Sequence, residues 1–166
     1  MKKPPTDDEL IERASEIGRA LVDAGMTLAT AESCTGGWVG RVLTAVPGSS
    51  NWYERGFVTY SNAAKSEMLG VSVGILTRDG AVSEATARAM AQGTLAHSRA
   101  QVADAITGVA GPAGGTADKP VGTVWIAWAR EGRDTRVQRF QFKGDREAVR
   151  RQSVAVALDG LLTMVK

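Results

Sequence analysis

Residues 26–37, MTLATAESCTGG, join a short apolar run to a glycine turn. We predict a strand over residues 26–32, a turn over residues 33–37, and a helix from Trp38 to the Pro47-Gly48 pair. A hydroxyl in such a turn lies close to helix N-terminal amides, which favour developing negative charge. The glycines also allow close approach of a ligand to the backbone.

Helices and strands alternate outward from this unit. Thr6 and Glu9 form a capping-box pattern, and the helix that they begin is predicted to end at Gly25. Strands are predicted over residues 56–61, 101–107, 121–129 and 136–142, and helices over residues 62–69 (capped by Asn62), 83–98 (capped by Ser83) and from Asp145 onward. This pattern favours a single α/β domain over residues 1–166, folded as a three-layer α/β/α sandwich with a mixed sheet.

Composition excludes several classes of protein. With 43% hydrophobic and 23% charged residues, the 166-residue chain has a globular composition. A net charge of +2 argues against a dedicated nucleic-acid binder, and one cysteine with one histidine excludes a disulfide framework and a Cys/His zinc site. No apolar run reaches the roughly 18–20 residues of a membrane span. Residues 1–9 lack the apolar centre of a signal peptide, so we expect a cytoplasmic protein.

The turn holds three competing nucleophiles, Ser33, Cys34 and Thr35. A cysteine is the most nucleophilic when ionised, but lone cysteines are usually small buried hydrophobic residues. Backbone groups of this turn, including Gly36 and Gly37, are predicted to contact substrate. The alternative is a simple helix cap followed by a glycine turn.

A serine nucleophile needs a base. His97, the only histidine, lies at the predicted end of a helix, where an imidazolium interacts favourably with the helix dipole. A lysine or a carboxylate therefore remains, and Lys65 is the best-placed lysine, with Tyr60 as a proton relay or as the group that orients the amine. The alternative places Lys65 on the surface of a helix and Tyr60 as an ordinary strand aromatic.

Two later segments are candidates for ligand contacts. Thr107 ends a predicted strand, and the glycine-rich loop after it, with Gly108 and Gly111, is predicted to bind ligand where open α/β sheets do so. Arg146 and Arg150 share one face of the last helix, and an anion such as a phosphate would relieve their mutual repulsion. The alternatives are an exposed flexible loop, and a solvated helix face on which Glu147 pairs with Arg151.

Together these segments resemble one family, the C-terminal domain of the competence/damage-inducible protein CinA. The matching motifs cover nearly the whole chain in order: residues 30–37, 48–50, 55–62 with Lys65, 80–83, 107–112, 119–124 and 144–152.

The resemblance implies an α/β/α domain that self-associates and hydrolyses the carboxamide of nicotinamide mononucleotide. It further implies that Ser33 is the nucleophile, Lys65 the general base, and Tyr60 and Thr107 supporting site residues. No metal or other cofactor and no membrane or nucleic-acid partner is expected. The alternative function is a non-catalytic nucleotide-binding regulatory module. A nucleic-acid-associated role is suggested only by the name of the relatives and by a sequence pI of about 8.9.

Overall fold

The computed structural model describes residues 3–166, in which a five-stranded mixed sheet lies between two layers of helices. The strands are β1 (Leu28–Glu32), β2 (Tyr53–Val58), β3 (Val102–Gly108), β4 (Thr123–Arg130) and β5 (Arg136–Gln141), in the spatial order β2-β1-β3-β4-β5. The helices are α1 (Asp7–Ala24), α2 (Trp38–Thr44), α3 (Asn62–Leu69), α4 (Val73–Asp79), α5 (Glu84–Ala96) and α6 (Arg146–Val165). The predicted α/β/α sandwich is confirmed.

Strand β1 pairs in parallel with β2 on one side and with β3 on the other. Strand β4 runs antiparallel to β3, and β5 forms the predicted hairpin with β4. The carboxyl ends of β1, β2 and β3 therefore meet at one edge of the sheet. Open α/β sheets bind their ligands at this kind of edge.

Each face of the sheet has its own helix layer. Helices α1, α2 and α6 pack over one face through apolar side chains such as Ile17, Leu43 and Leu158. Helices α3, α4 and α5 cover the other face, where Met90 is fully buried. No helix of residues 3–166 combines the length and the apolar character that a membrane span requires.

Helix α1 begins with the predicted capping box. The Glu9 amide donates to Thr6 Oγ1 at 3.2 Å, and the Thr6 amide donates to Glu9 Oε2 at 2.7 Å. Gly25 then ends the helix with φ of 66°, a left-handed conformation that glycine adopts without steric cost.

Strand β2 lies three residues earlier than predicted. It pairs with β1 from Tyr53 to Val58, and the Thr59 amide makes the last hydrogen bond, to the Glu32 carbonyl at 2.9 Å. The chain then leaves the sheet, because the Ser61 hydroxyl accepts from the Ala64 amide and caps α3. The predicted cap at Asn62 is therefore wrong by one residue.

Two further departures concern short helices. Helix α2 ends at Thr44 rather than at the Pro47-Gly48 pair, and a 3-10 turn over Ser49–Asn51 follows. Helix α4 has no counterpart among the predicted elements. It is seven residues long, buries only Leu76 and contains Gly74, so its sequence carries too few turns for an apolar period.

Asp104 on β3 is a fully buried carboxylic acid. It faces the α1–α2–α6 layer between Thr30 of β1 and Trp128 of β4, and neither of its oxygens has a hydrogen-bond partner among the described residues. Burial raises the pKa of Asp104 well above its usual range, and the field of Glu32 raises it further. An unpaired buried carboxyl destabilises the folded state.

Replacing Asp104 with Val is expected to increase the free energy of unfolding at pH 7 by about 1–3 kcal/mol, because it removes a desolvated polar group. The folded wild type retains the Asp104 proton where the unfolded chain has released it. Its stability therefore falls as pH rises above about 4, the value of an unperturbed aspartate. Urea unfolding from pH 4 to 8 measures the difference in the free energy of unfolding between variant and wild type. This difference should increase with pH. A difference that stays constant contradicts this assignment, and exposed Asp134→Ala is the control.

Candidate active site

The turn after β1 is held against the sheet by its first residue. The Ser33 amide donates to the Ile106 carbonyl at 3.0 Å, and the Gly36 amide returns to the Ser33 carbonyl at 3.1 Å. Gly36 and Gly37 have φ of 59° and 99°, which a residue with a Cβ adopts only with strain. The turn therefore presents Ser33 at the carboxyl edge of the central strand, with only 8% of the residue exposed.

Lys65 reaches this serine from helix α3. Its Nζ donates to Ser33 Oγ at 3.1 Å and to the Thr59 carbonyl at 3.0 Å. Although Lys65 lies on a short surface helix, it is only 1% exposed, and no carboxylate of the described residues forms a salt bridge with it. The structure thus brings Ser33 and Lys65 together and rules out the surface-helix alternative.

Burial controls the protonation of this pair. Desolvation lowers the pKa of the Lys65 ammonium below its usual value of 10.5. The same effect raises the pKa of the neighbouring Cys34 thiol to about 12, so that Cys34 stays protonated at neutral pH. Of the adjacent serine and cysteine, only Ser33 has a hydrogen-bonded amine beside it.

Two backbone amides of the turn have no hydrogen-bond acceptor among the described residues. Within residues 3–166, the N–H groups of Cys34 and Thr35 donate to no backbone or side-chain acceptor. Both follow directly after Ser33. Free amides at such a position stabilise an oxyanion formed by attack of the serine.

Glu32, the last residue of β1, is a site residue that the sequence analysis did not identify. Its Oε1 accepts from Thr35 Oγ1 at 2.6 Å and from the Val39 amide at 2.9 Å, and its Oε2 accepts from the Gly40 amide at 3.2 Å. The carboxylate therefore caps α2, whose preceding residue, Gly37, has no side chain to do so. Glu32 could have been found from the sequence, because it is an acidic residue at the end of an otherwise apolar strand and a glycine precedes the next helix.

The pKa of Glu32 is raised by burial, although the hydrogen bond from Thr35 and those from the α2 amides oppose this shift. Glu32 is 2% exposed. Its side chain lies on the α1–α2–α6 side of the sheet, opposite to Lys65, so it acts on the nucleophile through the shape of the turn.

Arg146 joins two segments at the same edge of the sheet. Its Nη1 donates to the Gly111 carbonyl at 2.7 Å, and its Nη2 donates to the Tyr60 hydroxyl at 3.1 Å. Tyr60 is exposed and makes no hydrogen bond to Lys65 in the described residues; the neighbouring Thr59 carbonyl binds that amine instead. The structure thus links Tyr60 with Arg146 and Gly111.

Arg150 holds the turn over residues 33–37, which we call the nucleophile turn because it carries the candidate nucleophile Ser33. Its Nε donates to the Cys34 carbonyl at 3.1 Å, and its Nη2 donates to the Thr35 carbonyl at 3.2 Å. The guanidinium also lies 5.4 Å from the centre of the Trp38 ring. Helix α6 therefore supports the turn through two hydrogen bonds to its backbone.

Thr107, Gly108 and His97 have structural contacts. The Thr107 hydroxyl donates to the Ala81 carbonyl at 2.8 Å and so ties the end of β3 to the loop before α5. Gly108 is still part of β3 and pairs with Val124. His97 ends α5, where its Nδ1 lies 2.8 Å from the Gly93 carbonyl, as expected for a helix-terminal role. No group of three or more potential His, Cys, Asp or Glu metal ligands occurs in residues 3–166.

We expect Glu32→Gln to lower both stability and activity, because a side-chain amide would turn an N–H donor toward the Gly40 amide. The loss in unfolding free energy should be about 1–3 kcal/mol, the usual cost of an unsatisfied buried donor. Thermal unfolding and turnover are compared with Glu131→Gln, an exposed control. Equal behaviour of the two variants would show that Glu32 does not support the turn.

Comparison with known proteins identifies the family of this chain. The CinA C-terminal domain model matches residues 11–165. The chain is 53% identical over 156 residues to the nicotinamide-nucleotide amidohydrolase PncC of Escherichia coli strain K12, covering 94% of each chain. It is 50% identical over 157 residues to the protein of the same name from Pseudomonas putida, covering 95% of this chain and 98% of that one.

A solved structure extends the likeness to the fold. The crystal structure of the competence/damage inducible protein CihA from Agrobacterium tumefaciens is 42% identical in sequence and covers 100% of both chains with a TM-score of 0.94. The resemblance noted in the sequence is therefore confirmed, and this chain belongs to the CinA C-terminal domain family.

Proposed function

We propose that this chain is an amidohydrolase that converts nicotinamide mononucleotide to nicotinate mononucleotide and ammonia, with Ser33 as nucleophile and Lys65 as general base. The observation that carries the proposal is the buried contact of 3.1 Å between Lys65 Nζ and Ser33 Oγ. It occurs in a chain that is 53% identical to a nicotinamide-nucleotide amidohydrolase.

The first step forms a tetrahedral intermediate. Neutral Lys65 takes the hydroxyl proton of Ser33, and Ser33 Oγ attacks the carboxamide carbon. The amides of Cys34 and Thr35, which are free of other acceptors in residues 3–166, hold the oxyanion. Because these donors are fixed by the turn, they need little reorganisation when the charge develops.

The remaining steps of the reaction release ammonia and then the acid. The Lys65 ammonium gives its proton to the amide nitrogen, the C–N bond breaks, and ammonia leaves while the acyl group stays on Ser33 as an ester. Lys65 then accepts a proton from water, which attacks the ester carbonyl. The C–O bond to Ser33 breaks, Lys65 returns its proton to Ser33 Oγ, and the acid leaves. Each proton transfer in this scheme uses the one amine that contacts Ser33 Oγ.

The remaining site residues have supporting roles in this proposal. Tyr60 and Arg146, linked at 3.1 Å, flank the approach to Ser33 from the ends of β2 and α6. Thr107 fixes the loop before α5 through its bond to the Ala81 carbonyl, and Gly111 gives the loop after β3 its left-handed turn, with φ of 83°. The scheme uses protein groups and water at every step.

Self-association in the cytoplasm is part of the same proposal. Val58 at the sheet edge, Met68 on α3 and Val73 on α4 are large apolar side chains that the described fold leaves exposed. Their exposure supports contact between copies of the chain.

Ser33→Ala and Lys65→Met should each lower turnover by at least about 10³-fold, because each removes a participant in the same proton transfer. Ammonia release from nicotinamide mononucleotide, without added metal, measures the effect. Lys143→Met removes an exposed lysine and should retain wild-type activity. Circular dichroism checks that each variant is folded.

The same assay separates catalysis from simple binding. A folded wild type that binds the nucleotide but releases no ammonia would be a non-catalytic binding module. Turnover retained by Lys65→Met at neutral pH would exclude Lys65 as the base.

The pH profile provides a separate test of Lys65. Because the pKa of Lys65 is lowered, its amine becomes neutral at a lower pH than the amine of a free lysine does. The value of kcat/KM should therefore rise with pH to a plateau, with a midpoint below 10.5. Lys65→Arg keeps the charge but does not deprotonate, so its kcat/KM should show no such rise with pH. A wild-type profile that is flat from pH 6 to 9 and an active Arg variant would contradict the assignment.

A further inference from the structure

A cavity of about 870 Å³ opens beside the nucleophile turn. Its walls come from the start of α1, from α2 and from the start of α6, and the backbone of Gly36 and Gly37 forms its border with the turn. Ser33 lies at the first position of this turn. A ligand that reaches from Ser33 across the glycines would therefore enter this cavity.

The charge of the cavity is positive. Four guanidinium groups line it, from Arg41, Arg146, Arg150 and Arg151, against two carboxylates, from Asp7 and Glu147. The net charge of these six side chains is therefore +2. Arginine clusters of this kind bind phosphate through charge-assisted hydrogen bonds.

Three of these arginines are engaged by the protein. Arg146 and Arg150 donate to backbone carbonyls, as described above. Arg151 Nη1 donates to Asp7 and to the Pro5 carbonyl, and its Nη2 donates to Glu147. These bonds satisfy both acidic groups of the cavity and hold the three side chains in place.

Arg41 is different. It extends from the last turn of α2, is exposed, and its guanidinium makes no hydrogen bond or salt bridge within residues 3–166. All five of its N–H donors are therefore available to a ligand. Of the four guanidinium groups in the cavity, it is the one that makes no hydrogen bond to the described residues, whereas the other three each donate to the protein.

The aromatic residue of the cavity does not favour a base or a nicotinamide ring. Arg150 and Arg151 already lie over the Trp38 ring, at 5.4 and 4.9 Å from its centre. A stacked ligand ring would have to displace one of these cations. The cavity thus favours an anionic group over an aromatic one.

We infer that this cavity is the subsite for the phosphomonoester of the substrate, and that Arg41 is its direct ligand. The inference rests on the proposed amidohydrolase function, since it places the 5′-phosphate of a mononucleotide whose carboxamide lies at Ser33. Arg146 and Arg150, which the sequence suggested as phosphate ligands, are positioning residues in this arrangement because their donors hold Gly111, Cys34 and Thr35.

Arg41→Ala tests the subsite. The variant should raise KM for nicotinamide mononucleotide about 10- to 100-fold, with kcat within about twofold of wild type, since a charge-assisted contact to substrate is lost away from the reacting atoms. For nicotinamide riboside, which lacks the phosphate, KM should equal that of wild type. Calorimetry with inorganic phosphate should detect binding to the wild type and not to Arg41→Ala. Arg19→Ala, an exposed arginine of α1 outside the cavity, is the matched control.

The outcomes separate the two proposals. If the wild type releases no ammonia from the mononucleotide, the proposed function fails, but loss of phosphate binding in Arg41→Ala still supports an anion subsite. If the wild type is active and Arg41→Ala leaves KM and phosphate binding unchanged, the subsite assignment is overturned. Equal increases in KM for the mononucleotide and the riboside also overturn it, because they indicate a change in the turn rather than a phosphate contact.

Discussion

The parallel pairing of β1 with both β2 and β3 is the constraint on which the site depends. It brings the carboxyl ends of three strands to one edge, so that Ser33, Thr59 and the loop near Gly111 become neighbours. Thr59 makes the last backbone bond to β1 and then offers its carbonyl to Lys65. The fold thus supplies both partners of the lysine from adjacent strands.

Burial of Lys65 removes an amine from water, and this desolvation costs free energy of folding. An amine removed from water without a carboxylate partner favours its neutral form, which is the form a general base requires. A hydroxyl and a carbonyl, from Ser33 and Thr59, are sufficient partners for a neutral amine. The same dry surroundings keep Cys34 as a thiol, so that one physical effect lowers the pKa of the amine and raises the pKa of the neighbouring thiol.

Buried and engaged charges elsewhere hold this geometry. Glu32 fixes the nucleophile turn by accepting hydrogen bonds from the first amides of α2. Arg146 and Arg150 fix it from α6 by donating to backbone carbonyls, which links the last helix to turns far away in sequence. Arg41 differs from these two guanidinium groups, because it lines the same cavity and makes no hydrogen bond or salt bridge within residues 3–166.

Local sequence by itself determined the helices with strong caps, the buried strands, the α/β/α class and the candidate residues of the turn. Those features depend on periodicity, capping and glycine conformation, which act over a few residues. Strand pairing set the true bounds of β2, and packing alone gave Asp104, Glu32 and Lys65 their environments. The sequence left Lys65 undecided between the surface and the site. Its contact with Ser33, 32 positions away, and its desolvation exist only after β1, β2 and α3 have packed together.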